Sequence, residues 1–317
     1  HVHGGAGGDI MQGGNTAQTV ARAHARHGTT ALLCTTMTAE ADDIVRALQG
    51  LSTAIAQRGT GMARVVGVHL EGPFISAERL GAQPPLVVEA TLEDVRRLHA
   101  IAPIKVLTLA PEIGQHLALI PALSALGIRV QLGHSAGSYE QGVAALDAGA
   151  AGFTHLFNGM TGVDHYHPGI ATAALAHAEY AELIPDLQHV HPGAIRTALR
   201  AIPRLYCVTD ATAATGMPDG EYALGVQRVH KCLGCVRLES GSLAGSALTM
   251  DQALRNLVAL GLALDDASNR VSRYPADYLG LEDRGRLQPG AWADLVVMDH
   301  GLRVQQVIVE GERIALD

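Results

Sequence analysis

The sequence predicts an α/β protein, a (β/α)8 barrel of the TIM type with a small β domain beside it. Three observations carry this expectation. Short β-branched or apolar runs alternate with amphipathic helical stretches along most of the chain. Counting the strand that should end at His1–His3, there are eight such runs, which favours a closed parallel barrel over an open sheet. The last third then abandons the alternation for a Gly-punctuated β pattern. At roughly 100–200 residues per domain the 317 residues would admit two domains, but barrels of this kind reach about 250 residues as one.

After the opening strand, the expected strands are 29–36, 65–70, 105–109, 129–133, 152–156, 181–184 and 205–209. Each follows Gly, Pro or polar punctuation and is rich in Val, Leu, Ile or Thr. The helices expected between them are 16–27, 39–57, 91–101, 115–126, 139–148, 170–177 and 192–202. Residues 221–243 read as hairpins, and 250–261 and 267–279 as helices. Residues 285–317 return to a β pattern, with turns at Gln288-Pro289-Gly290 and Glu310-Gly311-Glu312. Residues 1–284 are therefore expected to form the barrel with C-terminal helices, and 285–317 part of a small β domain. The chain opens without Met on a histidine already inside a motif, so the remainder of that domain is expected upstream of residue 1.

Composition narrows the function. Lys plus Arg number 23 and Asp plus Glu 31, a formal charge of −8 that suits no phosphate-backbone binder, so no nucleic acid partner is expected. No apolar run approaches the ~20 residues that span a bilayer, and no membrane partner is expected either. No signal peptide opens the chain and four cysteines make no disulfide framework, so the expected location is the cytoplasm. The 16 histidines, against an aromatic content of 3%, invite a search for a metal site.

That search succeeds at the strand ends. His1 and His3 (first strand), Glu71 (third), His134 (fifth), His155 (sixth), His189 (seventh) and Asp210 (eighth) all fall where a barrel carries its active site. His1 and His3, two apart on a strand, face the same side. A carboxylate ending a buried strand, as Glu71 does, is costly unless paired or metal-bound. His134 and His155 complete an N/N/O set with Glu71 that suits Zn²⁺, Fe²⁺ or a similar divalent ion. Asp210 is the best general base, able to take a proton from an attacking water and return it to a leaving amine. His189 is placed to polarise a carbonyl or stabilise an oxyanion. Cys232-x-x-Cys235 stands alone in a hairpin region, without the second pair a zinc ribbon needs, and is read as incidental.

The chain resembles the N-acetylglucosamine-6-phosphate deacetylases of the amidohydrolase superfamily over nearly its whole length. The segments that carry the resemblance are HLEGPFIS (69–76), LAPE (109–112), GHS (133–135), THLFNGM (154–160), HVHP (189–192) and VTDATAATGMPDGEYALG (208–225), with 243–258 and 285–298 extending it. The resemblance implies a metal-dependent barrel that removes acetate from N-acetylglucosamine 6-phosphate. It implies that Glu71, His134 and His155 bind the main ion, and that His1 and His3 bind a second in members that keep this pair. Asp210 would be the acid–base and His189 would hold the substrate carbonyl, while Asn158 and Gly159 match positions that contact the sugar phosphate. One or two ions are implied, zinc first, with iron, manganese or cobalt as alternatives, in a homodimer.

Two positions depart from the family pattern. Tyr166 stands where the family carries an arginine that reaches the phosphate across the dimer, and Gln83 where a histidine is common. Tyrosine donates one hydrogen bond but brings no charge. Both positions remain candidate substrate contacts. They favour a second reading, deacetylation of another N-acetyl substrate such as the galactosamine epimer, an unphosphorylated amino sugar or an N-acyl amino acid. A non-catalytic binding protein should have lost ligands, whereas the full set is present.

Overall fold

A computed structural model describes residues 1–316. The chain opens with a tight hairpin, β1 (Gly4–Gly5) and β2 (Gly8–Asp9), followed by α1 (Thr16–Ala25). Strands and helices then alternate as the hydrophobic pattern predicts: β3 (Ala31–Thr35), α2 (Ala41–Ala56), β4 (Arg64–Glu71), α3 (Leu92–Ile101), β5 (Ile104–Leu109), α4 (His116–Ala125) and β6 (Arg129–Leu132). The series continues through α5 (Tyr139–Asp147), β7 (Gly152–Phe153), α6 (Ile170–His177), β8 (Tyr180–Leu183), α7 (Pro192–Ala201) and β9 (Arg204–Cys207).

These strands form a closed parallel ring. β3 to β7 make one continuous sheet and β8 pairs with β9. Leu156 N donates to Glu182 O (2.8 Å), joining the continuation of β7 to β8. On the other side Val2 bridges in parallel to both Cys34 of β3 and Ala211 beyond β9. His1–His3 is therefore the first stave, as expected, although regular pairing there is a single residue long. The strands' outward-facing side chains Val68, Leu107, Val130, Leu132 and Phe153 are wholly buried in one apolar cluster with the surrounding helices. The helices lie outside and turn their apolar stripes inward, as α2 does with Ile44, Ala47, Leu48 and Leu51.

Two elements differ from the sequence expectation. The strand foreseen at 152–156 is regular only to Phe153, because His155 and Phe157 take positive φ (29° and 79°) and turn the chain toward the barrel mouth. The helix foreseen at 267–279 is two, α9 (Leu264–Val271) and α10 (Arg273–Tyr278), broken at Ser272. Pro275 is the cause: it has no N–H to give the carbonyl four residues back, and restarting the helix puts it in a first turn, where none is needed.

The last third contains β10 (Gly220–Leu224), β11 (Gln227–Cys232) and β12 (Cys235–Leu238), an antiparallel sheet, then α8 (Met250–Ala259) ahead of α9 and α10. A second antiparallel sheet, β13 (Leu295–Met298), β14 (Val304–Val309) and β15 (Glu312–Ile314), ends the described chain. Among the described residues no helix is long and apolar enough to cross a membrane.

An ion-pair cluster fastens this last sheet to the base of the barrel. Glu310 accepts from Arg64 (2.7 Å), which begins β4, from Arg58 (3.1 Å) and from Arg284, while Asp294 also pairs with Arg284. The Arg64 hydrogen bonds, against a smaller opposing effect of burial and with help from Arg284, hold the Glu310 carboxyl down at about 2. A carboxyl whose folded value lies below its ordinary one stabilises the fold above that ordinary value, and the contribution is lost as pH falls toward about 2. Glu310→Gln should therefore cost on the order of 3 kcal/mol at pH 7 by leaving buried guanidinium groups unmatched. In denaturant melts the gap between the parent and this variant should narrow as the pH drops; a gap that stays constant with pH would contradict the assignment.

Candidate metal centre at the barrel mouth

Five of the ring's staves end in a side chain aimed at one point. Glu71 closes β4, His134 and His155 follow β6 and β7, Asp210 follows β9, and His1 and His3 flank Val2. Three of them sit in the left-handed backbone region: His134 (φ 47°), His155 (φ 29°) and Asp210 (φ 49°). Such conformations cost on the order of 1–3 kcal/mol each and persist only where surrounding bonds enforce them. Here Ser76 N binds His134 O (2.8 Å), Asn158 N binds His155 O (3.0 Å), and Ser246 N binds Asp210 O (2.7 Å). Turning the chain sharply at the strand end is what brings these side chains over the barrel axis.

The Glu71 carboxylate, 1% exposed, lies between two imidazole pairs. Its Oε1 is 2.9 Å from His155 Nε2 and 3.2 Å from His134 Nε2, and those two nitrogens are 3.1 Å apart. Its Oε2 is 3.0 Å from His3 Nε2 and 3.7 Å from His1 Nε2, which are 3.3 Å apart. Asp210 Oδ1 lies 3.2 Å from both of the latter nitrogens, buried and without a hydrogen-bond partner. Two groups of three candidate ligands flank this carboxylate, Glu71/His134/His155 and His1/His3/Asp210, and a third combines His1 with His69 and Glu182.

The spacings suit ions. With metal–ligand bonds of about 2.0–2.1 Å, two ligands of a tetrahedral zinc are about 3.3–3.4 Å apart, close to the separations here. Hydrogen bonding alone explains them poorly: four ring nitrogens converge on one carboxylate, and Asp210 Oδ1 is left orphaned.

The electrostatics agree. Burial by itself would lower the proton affinity of His1, yet Glu182, Glu71 and Asp210 together hold it well above its ordinary value. His3 is likewise carried to about 9 against burial, by Asp210 and Glu71. Glu71 and Asp210 are held well below the carboxylate range despite burial, chiefly by His1. A site that draws protons onto its imidazoles this strongly offers the same negative field to a divalent cation, which would displace those protons.

The remaining predicted residues divide. His189 lines the same pocket and donates from Nδ1 to Asp186 Oδ2 (2.7 Å); burial opposes its protonation, but the Asp186 bond and charge raise it overall. Asn158 and Gly159 also line the pocket. A Cβ at Gly159 (φ 59°) would come within 3.0 Å of His134 Nδ1, so only glycine lets the loop lie against that ring. Gln83 lines the pocket but is engaged at both ends, accepting from Thr38 N (2.7 Å) and donating to Glu71 Oε2 (2.9 Å), which makes it a brace for that carboxylate. Tyr166 is not brought in: it is 78% exposed on a loop, its ring against that of His165. Cys232 and Cys235 face each other across the turn between β11 and β12, away from the pocket lining.

Sequence reasoning missed Glu182 of β8, which binds His1 Nδ1 (2.8 Å), and Asp186, the partner of His189. It also missed the apolar wall of Met37, Leu224 and Leu243. A carboxylate inside the apolar run Ala181–Ile184 was the available signal for Glu182, since an unpaired charge there would be costly.

Comparison with known proteins places this geometry. The amidohydrolase family model matches residues 1–314. The chain is 41% identical over 320 residues to the N-acetylgalactosamine-6-phosphate deacetylase of Escherichia coli O157:H7, covering 98% of this chain and 85% of that one. It is 39% identical to the N-acetylglucosamine-6-phosphate deacetylase of Vibrio furnissii, covering 99% of this chain and 80% of that one. Among solved structures, a variant of the Mycobacterium smegmatis N-acetylglucosamine-6-phosphate deacetylase, in complex with N-acetyl-D-glucosamine-6-phosphate, superposes with a TM-score of 0.92 at 36% identity. That match covers 99% of this chain and 84% of that one.

If Glu71 serves both groups, Glu71→Ala should leave the dialysed protein nearly metal-free, whereas His1→Ala should remove one ion and spare the other. Elemental analysis of metal per chain reads this directly. Loss of a single ion from Glu71→Ala would contradict a shared carboxylate.

Proposed function

This chain belongs to the amidohydrolase family, a metal-dependent group of hydrolytic enzymes, and we propose that it hydrolyses the N-acetyl group of N-acetylglucosamine 6-phosphate to give glucosamine 6-phosphate and acetate. The observation that carries this reading is the Glu71 carboxylate, one oxygen toward each imidazole pair, with the orphaned Asp210 oxygen beside it.

Glu71, His134 and His155 would hold one divalent ion, and His1, His3 and Asp210, with the second oxygen of Glu71, another. Zinc suits this nitrogen and oxygen set best. An ion bound there would lower the pKa of a water and polarise the acetyl carbonyl. Asp210 is held well below the carboxylate range despite burial, chiefly by His1, which suits it to begin the cycle as a proton acceptor. It takes the proton from the attacking water and passes it to the amine as the C–N bond breaks. His189, whose proton affinity Asp186 raises against burial, would in its protonated form present an N–H donor to a substrate oxygen, the acetyl carbonyl in the arrangement the family resemblance implies. Met37, Leu224 and Leu243 give the pocket an apolar wall that limits water near the reacting carbonyl. Gln83 keeps Glu71 from rotating away from the imidazoles. Tyr166, exposed on its loop and outside its own pocket's lining, would meet substrate only in a neighbouring subunit, which fits a homodimer.

A second reading has one specific observation in its favour: the galactosamine relative is 41% identical. The two sugars differ at C4, remote from the bond that is cleaved, so the same residues serve either epimer.

Purified metal-loaded protein should release acetate from N-acetylglucosamine 6-phosphate with a kcat/KM well above that for unphosphorylated N-acetylglucosamine. Asp210→Asn should lower kcat by about 10²–10⁴-fold, the usual worth of a positioned acid–base group. A preference for N-acetylgalactosamine 6-phosphate would select the second reading. Turnover unchanged in Asp210→Asn would overturn the mechanism for both.

A further inference from the structure

Beneath the metal centre the barrel interior is polar. Glu182 Oε2 binds His1 Nδ1 (2.8 Å), and Glu182 Oε1 accepts from the Tyr206 hydroxyl (3.4 Å). Tyr206 accepts from Gln131 Nε2 (2.8 Å), and Gln131 Oε1 accepts from Thr154 Oγ1 (2.8 Å). Thr154 Oγ1 lies 2.7 Å from Thr108 Oγ1, which lies 2.7 Å from His69 Nε2. These groups come from every stave except β3. Apart from His1 they are 4% exposed or less, and the His1 side chain is wholly buried.

The proton directions in this belt follow from valence. A hydroxyl has one proton to give. Tyr206 gives its proton to Glu182 and Thr154 gives its to Gln131, so Thr108 must give its to Thr154 and accept from His69 Nε2–H. Every arrow runs one way and the belt ends on the Glu182 carboxylate, an acceptor only. Its other oxygen accepts from the His155 backbone N–H (3.3 Å) and, being an acceptor only, takes the shorter bond (2.8 Å) from His1 Nδ1–H. With Nδ1–H committed to Glu182, Nε2 is the His1 nitrogen left to face Asp210, His3 and Glu71, and the one whose lone pair a cation there would take up. His134 is fixed the same way by a backbone carbonyl, Nδ1 to Arg79 O (2.8 Å), while the Nδ1 atoms of His3 and His155 have no partner among the described residues. His1 is thus the one ligand candidate oriented by a carboxylate, and that carboxylate adds negative charge without being in the His1/His3/Asp210 group.

We propose that Glu182, oriented by the Tyr206–Gln131–Thr154–Thr108–His69 belt, is a positioning residue that fixes His1 for ion binding and so sets occupancy of the His1/His3/Asp210 site. The proposal rests on the two-ion reading above. Of the other group Glu182 meets only the His155 backbone N–H (3.3 Å) and no hydrogen-bonding atom of the Glu71, His134 or His155 side chains, so its influence falls chiefly on one ion.

The test is a Co²⁺ titration of metal-free protein, followed by visible absorption and calorimetry. The parent chain should take up two equivalents. Glu182→Gln should bind the first with parental affinity and the second about 10–100-fold more weakly. Glu182→Ala, which also removes the acceptor, should be worse than Glu182→Gln, and Tyr206→Phe milder than either. Thermal melts of the one-ion forms should coincide. Parental binding of both equivalents by Glu182→Gln would overturn the proposal, as would equal weakening of both ions. Uptake of a single equivalent by the parent would instead overturn the two-ion reading, and the positioning role with it. Should Glu182→Gln fail to fold, Tyr206→Phe decides the question, since it leaves every ligand and Glu182 itself in place.

Discussion

The site is organised around the burial of one carboxylate. Glu71 ends the longest barrel strand and is removed almost wholly from water, which is costly for a charge unless opposite charge or strong donors surround it. The fold meets that demand by closing the ring so that four imidazoles arrive from three other staves, two at each oxygen. Without a counter-charge the arrangement is frustrated: nitrogens crowd to within 3.1–3.3 Å of one another and an Asp210 oxygen is unmatched. The pair of divalent cations proposed above would relieve each of these tensions. The hydrolytic chemistry of the family would follow from such charge once water and substrate share the pocket.

Support for the carboxylate extends well past its neighbours. Gln83 braces it from a loop, and the His134 ring is pinned by Arg79 O and abutted by Gly159. His1 is held by Glu182 and, through it, by a polar belt that crosses the barrel. Positive φ at His134, His155 and Asp210 places backbone strain at three of the staves that feed the site. The remote end of the barrel is stabilised separately, by the Glu310 cluster that binds the last sheet to β4 and to the loop between α2 and β4. Strain at the mouth and ion pairing at the base therefore need not compete.

Much of this was legible in the sequence. The alternation of apolar runs and amphipathic helices located every stave, because each strand is buried and each helix has one buried face. The ligand candidates were legible because polar residues at the ends of buried strands have few inexpensive explanations. What escaped was whatever depended on backbone detail or on side chains reaching sideways. The break at Ser272 is a consequence of Pro275 that periodicity does not register. Glu182 sits inside a strand rather than at its end, so a search of strand ends passes over it. Gln83 looked like a substrate contact by its place in a motif, and only the two hydrogen bonds of its amide show it committed to Glu71 and Thr38. Tyr166 likewise matched a motif position, but no sequence pattern reveals that its loop points away from its own pocket.

The most direct test of a carboxylate shared between two ions is anomalous diffraction from crystals of the zinc-loaded protein, recorded on both sides of the zinc edge. The account predicts two anomalous peaks about 3.5–4 Å apart, one against His134 and His155, the other against His1, His3 and Asp210, with one Glu71 oxygen on each. A single peak, or two peaks of which Glu71 contacts only one, would contradict it.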